Sequence, residues 1–188
     1  MSIGGPHRET EIKLRVESAG RARRLLARHA FRILRRRVFE TNTVFDTPSR
    51  ELYGKGCLLR VRTAGRVSTL TYKGRSEAGR HKSREEVDIE IGDAAGFALV
   101  LERLGFRPMF RYEKYRTEYS DRINDAVVTI DETPIGVFLE LEGPPDWIDG
   151  TAERLGFSAA DYTTASYATL YMQDCAARGK PPADMVFA

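Results

Sequence analysis

Along residues 8–16 the chain alternates charged and apolar side chains, with Glu9, Glu11, Lys13 and Arg15 interleaved with Ile12, Leu14 and Val16. Successive side chains of a strand point to opposite faces, so this pattern predicts a strand with one charged and one apolar face. Similar alternation predicts seven more strands, near 32–47, 57–63, 66–73, 83–91, 106–120, 126–133 and 136–142. Gly65, Gly74, Gly79, Asn124-Asp125 and the Pro134–Gly136 stretch supply turn chemistry between them. Residues 18–30, 94–104, 145–155 and 165–177 repeat their apolar positions at helical spacing instead; the last presents Tyr167, Leu170 and Tyr171. Beyond Arg178, Gly179 and Pro181-Pro182 predict a loose tail. Eight strands, mostly hairpin-connected, predict an antiparallel barrel or a two-sheet sandwich. The chain is expected to be one domain, 1–188, with its core at about 9–177.

Charge recurs on one face of strand after strand: Arg60 with Arg62, then Arg84, Glu86, Asp88 and Glu90, then Lys114 with Arg116, then Glu140 with Glu142. If these faces met solvent around an apolar lumen, the amphipathic helices would have no apolar sheet surface to cover. With the charges inward, the outer faces are apolar and the helices cover part of them. Burying an unpaired ion costs several kcal/mol, so inward charges require a wet lumen, paired signs and bound ligands.

Composition narrows the reading. The 41% hydrophobic and 30% charged fractions fit a globular protein. Thirty basic and 27 acidic residues leave a net charge of only +3, so no nucleic-acid partner is expected. No apolar run approaches the ~20 residues of a membrane span, and MSIGGPHRETEIK has no stretch that reads as a secretion signal. A cytoplasmic location with no membrane partner is therefore expected. Cys57 and Cys175 are expected to be small buried hydrophobes, and His7, His29 and His81 lack zinc-ligand spacing.

Carboxylates are natural ligands for hard cations such as Mg²⁺ or Mn²⁺. Glu9 with Glu11, and Glu140 with Glu142, each place two on one strand face; Glu86 with Asp88 offers a third pair, and Asp131 shares a face with Thr129. Arginine binds phosphate bidentately and lysine acts as a mobile point charge, so a mixture suits successive phosphoryl groups.

The ordered blocks ETEIK (9–13), VFDTPSRELYGKGCLLRVR (44–62), TLTYKG (69–74), SREEVDIEI (83–91), EKYR (113–116), TID (129–131) and FLELEG (138–143) resemble the CYTH superfamily, the triphosphate tunnel metalloenzymes. The resemblance runs from about residue 9 to 171. It implies an α+β fold, an eight-stranded antiparallel barrel with helices packed outside. It also implies that Glu9, Glu11, Glu140 and Glu142 hold metal, and that Lys13, Arg60, Arg62, Lys73, Lys114 and Arg116 hold phosphates. Glu86, Asp88 and Asp131 complete the acidic lining as catalytic groups, holding metal or positioning water. Asp88 is shorter than the glutamate common at its position. Surface roles are expected for Arg35 and Arg37.

Three activities are compatible with such a site. Water as nucleophile gives a triphosphatase acting on inorganic or thiamine triphosphate. A ribose 3′-hydroxyl attacking the α-phosphate of ATP gives an adenylyl cyclase. A non-catalytic polyphosphate- or nucleotide-binding module would show damaged metal-ligand pairs, and both E-x-E pairs are intact. Hydrolysis asks for fewer special features and is the expectation. Trp147, Tyr72 or Tyr112 could stack on a base or thiazole ring, although Trp147 suits a helix–sheet core better. A homodimer is compatible with the sequence and not required by it.

Overall fold

The computed structural model describes residues 6–77, 79–121 and 126–188. The turn expected at Asn124-Asp125 lies outside them. Eight strands close on themselves: β1 (His7–Val16), β2 (Arg32–Asp46), β3 (Leu58–Ala64), β4 (Val67–Lys73), β5 (Lys82–Ile91), β6 (Arg107–Ser120), β7 (Val127–Thr133) and β8 (Gly136–Glu142). The spatial order is β5-β4-β3-β2-β6-β7-β8-β1, and β1 also pairs with β5, all antiparallel. Closure removes most free edges. A two-residue β9 (Tyr162–Thr163), which periodicity could not reveal, adds to β1 beside Lys13 and Leu14.

The charges face inward and the apolar faces outward. Ile12 and Leu14 of β1, Val128 and Ile130 of β7, and Leu139 and Leu141 of β8 are sealed beneath two helices, α1 (Ala19–Arg28) and α4 (Pro145–Arg154). Leu26, Ile148 and Ala152 supply the helical half of that core. Each large aliphatic side chain so buried contributes roughly 1.5–3 kcal/mol. On the other side α3 (Ala94–Arg103) sets Leu101 and Phe97 against Phe45, Val61 and Leu70. Side-chain oxygens of Ser18, Asp93 and Ser166 cap the starts of α1, α3 and α5 (Tyr167–Ala177). A single-turn α2 (Glu51–Gly54), absent from the periodicity reading, is held by Asp46, whose carboxylate accepts backbone N–H bonds from Leu52 and Tyr53. Trp147 packs against the outer core and donates to Asp121 at 3.0 Å. Cys175 is buried as expected, whereas Cys57 is half-buried and takes a hydrogen bond from Tyr72.

The tail is a correction. Beyond residue 178 the chain was expected to be loose, yet Met185 is fully buried and pairs in parallel with Tyr112. Met185 N–H donates to the Arg111 carbonyl and Glu113 N–H to the Met185 carbonyl, both at 2.9 Å. β7 pairs with β6 only along Tyr115–Tyr119, so residues 111–113 have a vacant side that the tail occupies. Met185 joins the inward-facing Tyr112 and Phe138 and α5's Tyr167, with Leu170 and Tyr171 packed behind. That end of the lumen is therefore apolar.

Candidate functional site

The lumen encloses a cavity of about 260 Å³. Cross-strand register explains why the charged residues meet: Glu11 lies opposite Glu142, Lys13 opposite Glu140, Glu9 opposite Arg84, Lys73 opposite Glu86, and Arg116 opposite Asp131. Residues directly opposite share a face. Of the residues singled out from sequence, Glu9, Glu11, Lys13, Arg60, Arg62, Lys73, Glu86, Asp88, Lys114, Arg116, Glu140 and Glu142 all line the cavity. Asp131 lies behind them, with no exposed surface.

Ion pairs run along the lumen in tiers. Near its β1 start Lys73 bridges Glu9 at 2.6 Å and Glu86 at 2.8 Å. Deeper, Glu11 takes Lys82 at 2.9 Å and Lys13 at 3.1 Å, and Lys13 also reaches Glu140 at 3.1 Å. Against the apolar end Asp131 accepts from Lys114 at 2.8 Å, from two nitrogens of Arg116, and from the Tyr167 hydroxyl at 2.7 Å. Arg116 also contacts Glu140. The Tyr167 ring lies 5.3 Å from both the Lys13 and Lys114 ammonium groups. Asp131 thus fixes two cavity-lining cations and touches neither solvent nor cavity.

Titration follows from these partners. Burial pushes Glu11 up, but Lys13, Lys82 and Lys73 hold it well below the carboxylate range. Asp131 is likewise held low, burial being outweighed by Arg116 and Lys114. Glu86 is pushed up, by burial against the opposing pull of Lys73. Glu142 rises to about 7, from burial first and then the charge of Glu9. Among the described residues the Glu142 carboxylate has no ion pair or hydrogen bond.

The opposite wall has the complementary deficit. Among the described residues Arg62 has neither ion pair nor hydrogen bond, and burial with neighbouring Arg60 lowers its pKa. Arg60 donates to the Tyr112 hydroxyl and Thr71, but its buried Nε has no partner. Asn42, opposite Arg62 in the β2–β3 register and fully buried, leaves both amide atoms unpartnered. The Thr71 hydroxyl in turn bonds Asp88.

Lys82, Glu40, Asn42 and Tyr167 belong to this assembly and were not assigned to it from sequence; Tyr112, considered only as a stacking ring, instead takes a hydrogen bond from Arg60. Lys82 continues the alternation of Arg84, Glu86 and Asp88 one step before the strand was expected to start, and Glu40 and Asn42 share a face within β2. Those signals were present. Tyr167 reads as an ordinary apolar helix position, and only the fold brings it inside. Arg35 and Arg37 are on the surface as expected, paired with Glu118 and Glu132. Glu90 is exposed. The stacking candidates are otherwise engaged: Tyr72 bonds Cys57, Tyr112 holds Arg60, and Trp147 is in the outer core.

No three carboxylate, imidazole or thiol groups converge as a preformed metal cage among the described residues. The donor set still suits a hard cation: Glu142 lacks a counter-charge, Glu11 lies directly across the β1–β8 ladder, and Glu9 shares Glu11's face.

The CYTH domain family matches residues 7–167. A Methanocaldococcus jannaschii protein, named as a proposed adenylate cyclase, is 27% identical over 135 residues, covering 71% of this chain and 75% of that protein. Among solved structures, a Pyrococcus horikoshii protein aligns with TM-score 0.71 and 25% identity over 85% of this chain and 96% of its own. A Hippeastrum protein, described as a proposed adenylyl cyclase with a dominant triphosphatase activity, aligns with TM-score 0.64 and 21% identity, covering 93% and 97%. No helix among the described residues is long and apolar enough to cross a membrane.

Proposed function

Because the chain belongs to the CYTH domain family, we propose that it hydrolyses a small triphosphate, inorganic or thiamine triphosphate, inside the barrel with a divalent cation. One observation carries the reading. Arg60 Nε is buried without a partner, and the half-buried Arg62 guanidinium, which lines the same cavity, has no acceptor among the described residues. Buried donors are nearly always satisfied, so this wall calls for an oxygen-rich anion.

The residues divide the work. Arg60 and Arg62 grip phosphate oxygens from the β3 wall, with the fully buried Asn42 behind them, and Lys13, Lys114 and Arg116 meet them from the other side. Asp131 is a positioning residue, since it orients Lys114 and Arg116 without facing the cavity. Glu142, Glu11 and Glu9 are the carboxylates that would hold Mg²⁺ or Mn²⁺, with Glu140 beside them. The bound cation would neutralise phosphate charge and polarise water. Glu86, pushed up by burial, is placed to accept a proton from the attacking water, with Asp88 beside it on β5. Water oxygen bonds to the terminal phosphorus as the bridging P–O bond breaks, giving diphosphate and orthophosphate. Preorganised charge supplies most of the acceleration in such chemistry.

Hydrolysis is preferred to cyclisation because it asks for fewer special features. A lumen of about 260 Å³ suits a triphosphate chain, and hydrolysis needs neither a base pocket nor a ribose held for attack. The test offers purified protein inorganic triphosphate, thiamine triphosphate and ATP, each with Mg²⁺, with Mn²⁺ and with chelator. Metal-dependent orthophosphate release without cyclic AMP is expected. Cyclic AMP plus diphosphate from ATP would replace this reading with the cyclase. Arg62→Ala should weaken triphosphate binding at least about tenfold by calorimetry, in line with ~1.5–3 kcal/mol for a charged hydrogen bond.

A further inference from the structure

Residues 21–37 contain eight arginines, Arg21, Arg23, Arg24, Arg28, Arg32, Arg35, Arg36 and Arg37, and no acidic residue. They lie on α1 and on the part of β2 that extends beyond its pairing with β3, which begins at Glu40. The two elements form one surface, because Arg23 and Arg37 both reach the Glu132 carboxylate, at 3.9 and 2.8 Å. Glu17, Glu118 and Glu132 are the acids that touch the group. Eight arginines against three acids leave an excess of five on a chain of net +3, so the remainder carries a net −2. Among the described residues Arg24, Arg28, Arg32 and Arg36 have no ion pair.

From this surface we infer that residues 21–37 dock the protein on an anionic phospholipid bilayer. A field of this sign and size recruits polyanions, and two further features select lipid among them. Ile33 and Leu34, between Arg32 and Arg35, are 57% and 62% exposed. Aliphatic side chains flanked by arginines suit the boundary between headgroup and acyl chain, whereas single-stranded nucleic acid is gripped by stacking on aromatic rings. On α1, a cavity of about 410 Å³ is lined by Arg21, Arg24 and Arg28 with Leu25, Leu155 and Phe157, and by Glu17, which pairs with Arg21 and leaves two arginines in excess. A phosphate joined to an apolar stem matches that lining. A second copy of the chain is a poor occupant, since a two-fold contact would set the positive excess against itself. The small net charge of +3 averages this surface with the acidic remainder, and the lack of a spanning apolar run does not bear on surface docking.

The experiment is co-sedimentation of the full chain with phosphatidylcholine vesicles, with and without about one-third phosphatidylserine, in roughly 0.1 M salt. Binding at least about tenfold stronger to the anionic vesicles, lost in molar salt, is expected, because each basic group near such a surface adds roughly 1 kcal/mol. Arg32→Glu with Arg36→Glu should abolish it. Ile33→Ser with Leu34→Ser should weaken it several-fold, which attraction to phosphate alone would not produce. All four side chains are exposed and outside the barrel lumen, so triphosphate affinity and the circular dichroism spectrum serve as folding controls. Equal binding to neutral vesicles, binding that survives the charge reversal, or capture of duplex DNA without capture of vesicles would each overturn the proposal.

Discussion

Replacing Glu142 by Gln should make the metal-free protein more stable at alkaline pH, against the usual direction of a substitution in a polar site. Glu142 is mostly buried, has no cation partner among the described residues, and feels Glu9, so its carboxyl is displaced from an ordinary 4.5 to about 7. The sign follows from proton counting. Below 4.5 the group is protonated in both states and contributes nothing. As pH rises through 4.5 the unfolded chain releases the proton while the folded chain keeps it, so folding loses ground until pH passes about 7. The gap of about 2.5 pH units, at 1.36 kcal/mol for each, corresponds to about 3 kcal/mol. Glutamine carries no charge, so Glu142→Gln should recover up to about that amount at pH 8 and about 1 kcal/mol or less at pH 5. Urea denaturation with chelator present, at both pH values, reads the difference directly. Slopes should match between the two proteins, so that midpoint shifts report stability. A variant equal to or weaker than wild type at pH 8 would refute the reasoning, because the carboxylate would then have a stabilising partner in solution. With Mg²⁺ added the ordering should narrow or invert, since wild type alone keeps the carboxylate.

Two other predictions concern residues that do not line the cavity. Asp131→Asn removes the counter-charge of Lys114 and Arg116 and should cost about 3–5 kcal/mol, the usual loss when one partner of a buried ion network is deleted. Urea melts at pH 7 check it, and a loss below about 1 kcal/mol would mean that the two cations find other partners. Truncation after Lys180 removes Met185 from the cluster of Tyr112, Phe138 and Tyr167. Hydrogen exchange should then quicken at the Glu113 amide, which now donates to Met185, while the amides of β8 stay protected. Unchanged exchange at Glu113 would show that the tail is loose after all.

What could be read from sequence, and what could not, divides along the range of the interactions. Alternation is local: the pleat fixes which side Glu9, Glu11 and Lys13 occupy, so the charged column of β1 was legible before any pairing was known. Facing was legible in part, because α1, α3 and α4 each carry an apolar stripe that needs an apolar sheet surface; inward charge in a barrel provides one, while a sandwich with its apolar faces together also satisfied the strands. Pairing between distant segments leaves no periodic trace. Residues 181–188 begin with two prolines and have no alternation of their own, yet Met185 completes the wall that β7 leaves open beside β6. Tyr167 illustrates the same limit from the helical side. Its spacing with Leu170 and Tyr171 identifies a buried face, but the surface that buries it, Tyr112 and Phe138 inside the barrel, exists only once eight strands have closed. That closure also separates the lumen's charges into two kinds. Most are neutralised by the residue directly opposite, an arrangement that register alone enforces. Arg62 on one wall and Glu142 on the other have no ion pair among the described residues, which is why the proposed triphosphate and cation are assigned to them.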